Sequence, residues 1–199
     1  MSVIAYHLIW TNYGTWLGND PRGSGSREVY TPVLAALSEA HSGRRTTQPK
    51  RRVVREFYAE AEPRLQKPII RFRSDQFAAI ADALAESIHK RSYTCYACAI
   101  MPDHVHLVIR KHRDLAEEMI ENLQIDSRLK LQSNGIVPVD HPVWTLHGWH
   151  VFLDSTKSVW GRIRYVEGNP EKEGLPRQSW PFVTPYDNWP FHKQLNRKR

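Results

Sequence analysis

The chain has 199 residues, 41% of them hydrophobic and 25% charged, the make-up of a folded globular domain rather than a disordered or fibrous chain. Lysine and arginine outnumber aspartate and glutamate by 28 to 21, a net charge of +7 that points to a polyanionic partner, nucleic acid first. No apolar run approaches the ~20 residues of a membrane-spanning helix, no secretory leader opens the chain, and the two cysteines, Cys95 and Cys98, lie too close for a disulfide framework. The expectation is a cytoplasmic protein with no membrane partner.

Residues Ala5 to Trp10 (AYHLIW) are aromatic and β-branched and read as a first strand, followed by a glycine-rich loop from Asn12 to Ser26. Between Ser42 and Arg73 the chain is strongly basic and weakly patterned, so it reads as part of an insertion running from about residue 12 to 73. Within it Arg44, Arg45, Lys50, Arg51, Arg52 and Arg55 are candidate contacts to a DNA backbone; a solvated loop fits the same residues. Ser74 is placed to cap a helix whose apolar positions Phe77, Ile80, Ala81, Leu84 and Ile88 recur at helical spacing. Thr94 to Met101 and Val105 to Ile109, separated by Pro102 and Asp103, read as a hairpin.

A second helix is expected from Asp114 to about Leu131, burying Leu115, Met119, Leu123 and Leu129 and stopping at Asn134-Gly135. A short strand at Trp149 to Leu153 precedes a third helix, capped by Asp154 or Ser155 and ending at Asn169-Pro170. The order strand, helix, hairpin, helix, strand, helix predicts an α+β fold, a ferredoxin-like antiparallel sheet with helices packed on one face. One domain is expected over residues 1–175, with an aromatic and basic tail over 176–199 that either stacks bases or covers core.

Chemistry concentrates at two places. In MPDHVHLVI, His104 and His106 are two apart on a strand, so their imidazoles project from one face while Val105 and Leu107 face the core. Imidazole nitrogens suit several divalent metals, although a His-x-His pair among ten histidines also arises by chance. Tyr165 and Asn169 are four apart at the end of a helix and share a face; they fit a nucleophile beside an amide ligand, or a core-edge tyrosine beside a helix terminator. A phenol with pKa of about 10 needs activation or a more electrophilic phosphorus to attack a phosphodiester.

MPDHVHLVI resembles the HUH signature of single-tyrosine transposases, and Arg164-Tyr-Val-Glu-Gly-Asn-Pro170 resembles their nucleophile helix, notably in the tyrosine transposases associated with repetitive extragenic palindromes. The resemblance implies a ferredoxin-like catalytic domain with Mg²⁺ or Mn²⁺ on His104, His106 and Asn169, and Tyr165 as the nucleophile. It implies single-stranded or hairpin DNA as substrate, a 5′-phosphotyrosine intermediate, and a monomer or homodimer. Asp103 stands where the family usually has Asn, Asn169 where many members have Gln, and the Trp10-to-Ser74 connection is long.

Two other readings are carried forward. One is a non-catalytic or domesticated nucleic-acid-binding protein on the same scaffold. The other is a zinc enzyme using Cys95 and Cys98 with the histidines; on a regular strand, cysteines three apart face opposite sides, which opposes it. His147 and His150 are candidates for the cleft, or ordinary surface and core residues. Tyr6, Tyr93, Tyr96 and Tyr186 read as packing residues.

Overall fold

The computed structural model describes residues 2–24, 32–43 and 45–191. Strand β1 (Ala5–Thr11) pairs antiparallel with β3 (His104–Arg110) on one side and β4 (Trp149–Leu153) on the other, and β2 (Cys95–Ile100) closes the hairpin with β3. The strand order β2-β3-β1-β4 is the ferredoxin-like arrangement that the element order predicts.

The alternation of β1 and β3 divides the sheet. Tyr6, Leu8 and Trp10 join Val105, Leu107 and Ile109 on one face, packed by α3 (Phe77–Lys90) and α4 (Ala116–Ser133). The opposite face carries Ala5, Ala97, Ala99 and Val108, small side chains that let α5 (Thr156–Glu167) lie close on the sheet through Val159, Ile163 and Val166. Helices on a single face therefore describe α3 and α4, as expected, while α5 lies on the other side, because its buried stripe of i, i+4, i+7 residues matches that alanine-rich face.

Several local expectations are corrected. The basic segment contains α2 (Arg51–Ala61): Val54, Phe57, Tyr58 and Ala61 form the inward stripe, masked in the sequence by arginines on the outer face. Ser74 opens a 3-10 turn (Ser74–Gln76) instead of capping α3, and the Gln76 side chain accepts the Arg73 N–H at 3.0 Å. Asp114 does not start α4; it accepts the Tyr93 hydroxyl at 2.7 Å, while Glu118 accepts the Leu115 N–H. Leu115 and Leu129 are 62% and 53% exposed, since the stripe runs through Ala116, Met119, Ile120, Leu123, Ser127 and Leu131. At the next helix, Ser155 is the cap, its hydroxyl accepting the Ser158 N–H at 3.2 Å.

A register shift between Cys95 and Ala97 overturns the expected opposition of the two cysteines: a bulge advances one residue and turns both toward α3 and α4. Both are fully enclosed, and burial pushes the Cys95 thiol up to about 12 and Cys98 upward as well. They are inert core thiols on the face opposite the histidines, so they form no zinc site with them.

The segment after β1 is tightly organised. Asn12 is fully buried and donates from Nδ2 to the carbonyls of Ile70 (2.8 Å) and Pro102 (3.0 Å), binding the loop to the hairpin tip. Asp20, also buried, takes a bidentate pair of bonds from Arg22 at 2.8 and 2.6 Å and meets the Tyr58 hydroxyl of α2; the paired geometry offsets the desolvation of the carboxylate. In the tail, Trp180, Phe182 and Val183 pack against one core and Trp189 against the other. Gln178 also bonds both polar backbone groups of Ile100 on edge strand β2, at 2.8 and 2.7 Å. Among the described residues no helix is long and apolar enough to cross a membrane.

Gly148 lets β4 approach β1: a Cβ there would lie 2.4 Å from the Ile9 carbonyl oxygen and 3.1 Å from Trp10 Cβ. Gly148→Ala is expected to cost about 1–3 kcal/mol, measured as a lower urea midpoint with unchanged slope.

Candidate active site

The face covered by α5 has one polar end, where β3 begins. His104 and His106 stand there with ring centroids 4.7 Å apart and planes at 89°. On α5, Arg162 and Tyr165 lie along one flank of the buried Val159–Ile163–Val166 stripe, the consequence of a spacing of three, and Asn169 follows beyond Gly168. That flank brings the Tyr165 ring to 6.0 Å from the ring of His106 and 5.9 Å from that of His7. Tyr165 is 42% exposed, so its phenol is anchored at the ring and open to a ligand.

Each histidine has its Nδ1 engaged. Asp103 Oδ1 lies 2.6 Å from His104 Nδ1, and this bond holds the Asp103 carboxyl below its usual range. An ionised carboxylate only accepts, so His104 Nδ1 carries a proton, and Nε2 is the ring nitrogen left for a metal. His106 Nδ1 lies 3.0 Å from His7 Nε2 within a stacked pair. Two tautomer pairs satisfy this bond, and the one in which His106 donates leaves its Nε2 free as well. Burial, then the positive neighbours, pushes His106 down to about 2, and burial followed by Arg162 pushes His7 down to about 3. Both are neutral at pH 7, the form in which imidazole binds metal.

The donor set therefore suits a divalent cation: two imidazoles with Nε2 available and Nδ1 fixed by a second partner, the arrangement usual behind metal-ligating histidines. Asn169 starts the short helix α6 (Asn169–Lys172), is buried, and has an Nδ2 with no hydrogen-bond partner. Among the described residues no hydrogen bond joins it to His104 or His106. Asn169 Nδ2 and His7 Nδ1 are both without a partner among the described residues, and it is the amide oxygen of Asn169 that could ligate a cation.

Sequence reasoning missed three contributors. His7 shares this face two residues before Ile9, which pairs with His106; a lone histidine in an otherwise apolar strand was the available signal. Arg162, one turn before Tyr165, places its guanidinium carbon 5.2 Å from the Tyr165 ring centroid, and Lys172 of α6 places Nζ at 4.8 Å. The i−3 spacing made Arg162 findable, whereas Lys172 depends on the turn between α5 and α6.

Beside the histidines opens a cavity of about 880 Å³ lined by Trp16, Arg22, Arg71, Trp149 and Glu173 together with His104 and His106. Of the basic candidates, Arg51 and Arg55 line a neighbouring cavity of about 570 Å³ that shares Arg22 and Arg71 with the first. Arg52 is paired instead with Glu56 at 2.9 Å, and Arg45 and Lys50 are exposed and line neither cavity. Arg44 lies outside the described residues. His150 packs against Tyr6 and Phe152 on the opposite face, and His147 is exposed; neither reaches the site. Tyr6, Tyr93, Tyr96 and Tyr186 are buried packing residues.

No protein-family model and no curated protein matches this sequence. Among solved structures, the chain is similar to a REP-associated tyrosine transposase bound to a REP hairpin, at 13% identity and a TM-score of 0.48. That likeness covers 100% of this chain and 82% of the other. It is also similar to a protein assigned as a transposase from Deinococcus radiodurans R1, at 14% identity and a TM-score of 0.40, over 89% of this chain and 95% of that one.

Because His7 and His106 have folded-state values of about 3 and 2 against about 6.5 unfolded, the unfolded chain binds more protons below pH 6.5. Stability is then complete above about pH 6.5 and declines as pH falls toward the folded values, by at most ~1.4 kcal/mol per pH unit per histidine. Thermal melts of the metal-free protein between pH 7.5 and 5, above the carboxylate range, are expected to show a falling Tm that flattens in His7→Gln; a flat wild-type curve contradicts the assignment.

Proposed function

We propose that the chain is a metal-dependent single-stranded DNA endonuclease and strand transferase of the single-tyrosine HUH transposase type, acting at DNA hairpins. The observation that carries this reading is the meeting of an exposed phenol, Tyr165, with two imidazoles whose Nδ1 atoms are already bound. That combination serves phosphodiester attack better than it serves packing. His104 and His106, with the Asn169 amide, would hold Mg²⁺ or Mn²⁺, which would polarise the scissile phosphate and offset its developing charge.

The chain's own groups do the rest. The Tyr165 oxygen attacks phosphorus in line; a phosphorus–phenol oxygen bond forms and the bond to the 3′ oxygen breaks, leaving a 5′-phosphotyrosine and a free 3′-hydroxyl. Arg162 and Lys172, flanking the Tyr165 ring, place positive charge where the phosphate arrives. Asp103 and His7 hold the two imidazoles in orientation. Reversal by another 3′-hydroxyl rejoins strands without a nucleotide cofactor, since the phosphotyrosine conserves the phosphodiester's free energy.

With a labelled hairpin carrying single-stranded flanks and Mn²⁺, the wild type is expected to form a covalent adduct. Tyr165→Phe is expected to form none while binding the same DNA. Adducts in that variant would assign another nucleophile, and binding without cleavage across a broad oligonucleotide pool would assign a DNA-binding module instead. His106→Ala is expected to lower the rate at least ~10²-fold, through loss of a ligand that orients and charges the site.

A further inference from the structure

Strand register sets a row of residues across the sheet: His106 is opposite Ile9, and Ile9 is opposite Trp149. All three side chains share one face, so Trp149 stands two strand spacings, roughly 10 Å, from the histidine. Trp149 is 43% exposed, unusual for an indole on a covered sheet face. It is held in place by Trp16, whose ring meets it edge to face at 5.9 Å. Trp16 is fixed in turn: its Nε1 donates to the Gly23 carbonyl at 3.0 Å and the Arg22 guanidinium lies 3.9 Å from its ring centroid. The buried Asp20 carboxylate holds Arg22. The aromatic wall of the 880 Å³ cavity is thus preorganised.

Both signs of charge line the cavity: Arg22 and Arg71 stand with Asp103 and Glu173, and the Arg71 charge contributes to lowering the Asp103 carboxyl. Glu173 lines it beside Asp103, and carboxylates there repel a phosphate while accepting from the amino edge of a base. Arg71 lines both this cavity and its neighbour, where Arg51 and Arg55 also stand. The side chains of Arg51, Arg55 and Arg71 are exposed and make no hydrogen bond or salt bridge with another described residue. An aromatic slot with acceptors at its edge and guanidinium groups running from its rim, Arg71, to the neighbouring cavity, Arg51 and Arg55, fits one unpaired nucleotide, base inward and phosphates outward.

The geometry points to a base-binding subsite: an unpaired nucleobase next to the cleaved phosphate stacks on Trp149 in this cavity, and its strand continues along Arg71 toward Arg51 and Arg55. This rests on the reading of the chain as a single-strand DNA enzyme. It assigns substrate contacts to the loop after β1 and to β4, which carry none of the groups that perform the cleavage.

The test is binding, measured with EDTA present so that cleavage plays no part. Fluorescence anisotropy compares a labelled hairpin bearing a single-stranded extension with the same hairpin blunt-ended. Trp149→Ala is expected to weaken binding of the extended hairpin about 5- to 100-fold and to leave the blunt one unchanged, while Trp149→Phe restores most of the affinity. Arg71→Gln is expected to lower the salt slope for the extended hairpin by about 0.7. Equal affinity of Trp149→Ala and wild type for the extended hairpin, or an equal loss on both hairpins, overturns the subsite. Failure of wild type to prefer the extended hairpin overturns it too. Cleavage reports separately: a wild type whose Trp149-dependent binding is intact but which forms no Tyr165 adduct sinks the nuclease reading and keeps the subsite.

Discussion

The antiparallel register of β1 against β3, Ala5 opposite Arg110 through Thr11 opposite His104, decides which side chains meet. In a two-residue repeat, a slip of one position would send His7 and His106 into the apolar layer beneath α3 and α4 and turn Leu8 and Leu107 toward α5. The register is protected on both sides. One face buries Tyr6, Leu8, Trp10, Val105, Leu107 and Ile109, and the other seats α5 over Ala5, Ala97, Ala99 and Val108, with Tyr96, Met101 and Leu153 in the same cluster. Placement of Tyr165 follows from this packing, since the helix cannot rotate without lifting Val159, Ile163 and Val166 from their seat.

The two imidazoles at the end of β3 are not equivalent. His104 leans on the ionised carboxylate of the residue before it. His106 leans on another neutral imidazole, enclosed and far from any countercharge. In the hairpin turn, Asp103 offers His104 a charged acceptor oxygen, a stronger contact than a neutral amide there would make.

Much of this was legible in the sequence because the relevant signals are short-range. Strand alternation placed His104 and His106 together, helical spacing placed Tyr165 beside Asn169, and the element order gave the sheet topology. What escaped depended on distant contacts. His7 acquires its meaning only from a neighbour 99 residues away, and the bulge at Cys95 is a detail of pairing that composition does not encode. The α2 helix hides behind the arginines on its outer surface, and Leu115 and Leu129, though apolar, stand at angles off the buried stripe of α4. The Trp16–Trp149 pair required both the loop conformation and the β1–β4 register.

The tail has a consequence for assembly. An outer strand normally presents unpaired backbone groups to any chain able to add a strand. Here the Gln178 amide occupies the donor and acceptor of Ile100, and Thr184 donates its N–H to the Cys95 carbonyl at 2.7 Å. Growth of the sheet from β2 into a second subunit would first have to strip these contacts and uncover Trp180 and Phe182. The carboxy-terminal stretch thus acts as a chain's own substitute for a neighbour, leaving β4 or the helices as the surfaces through which copies of this protein can join.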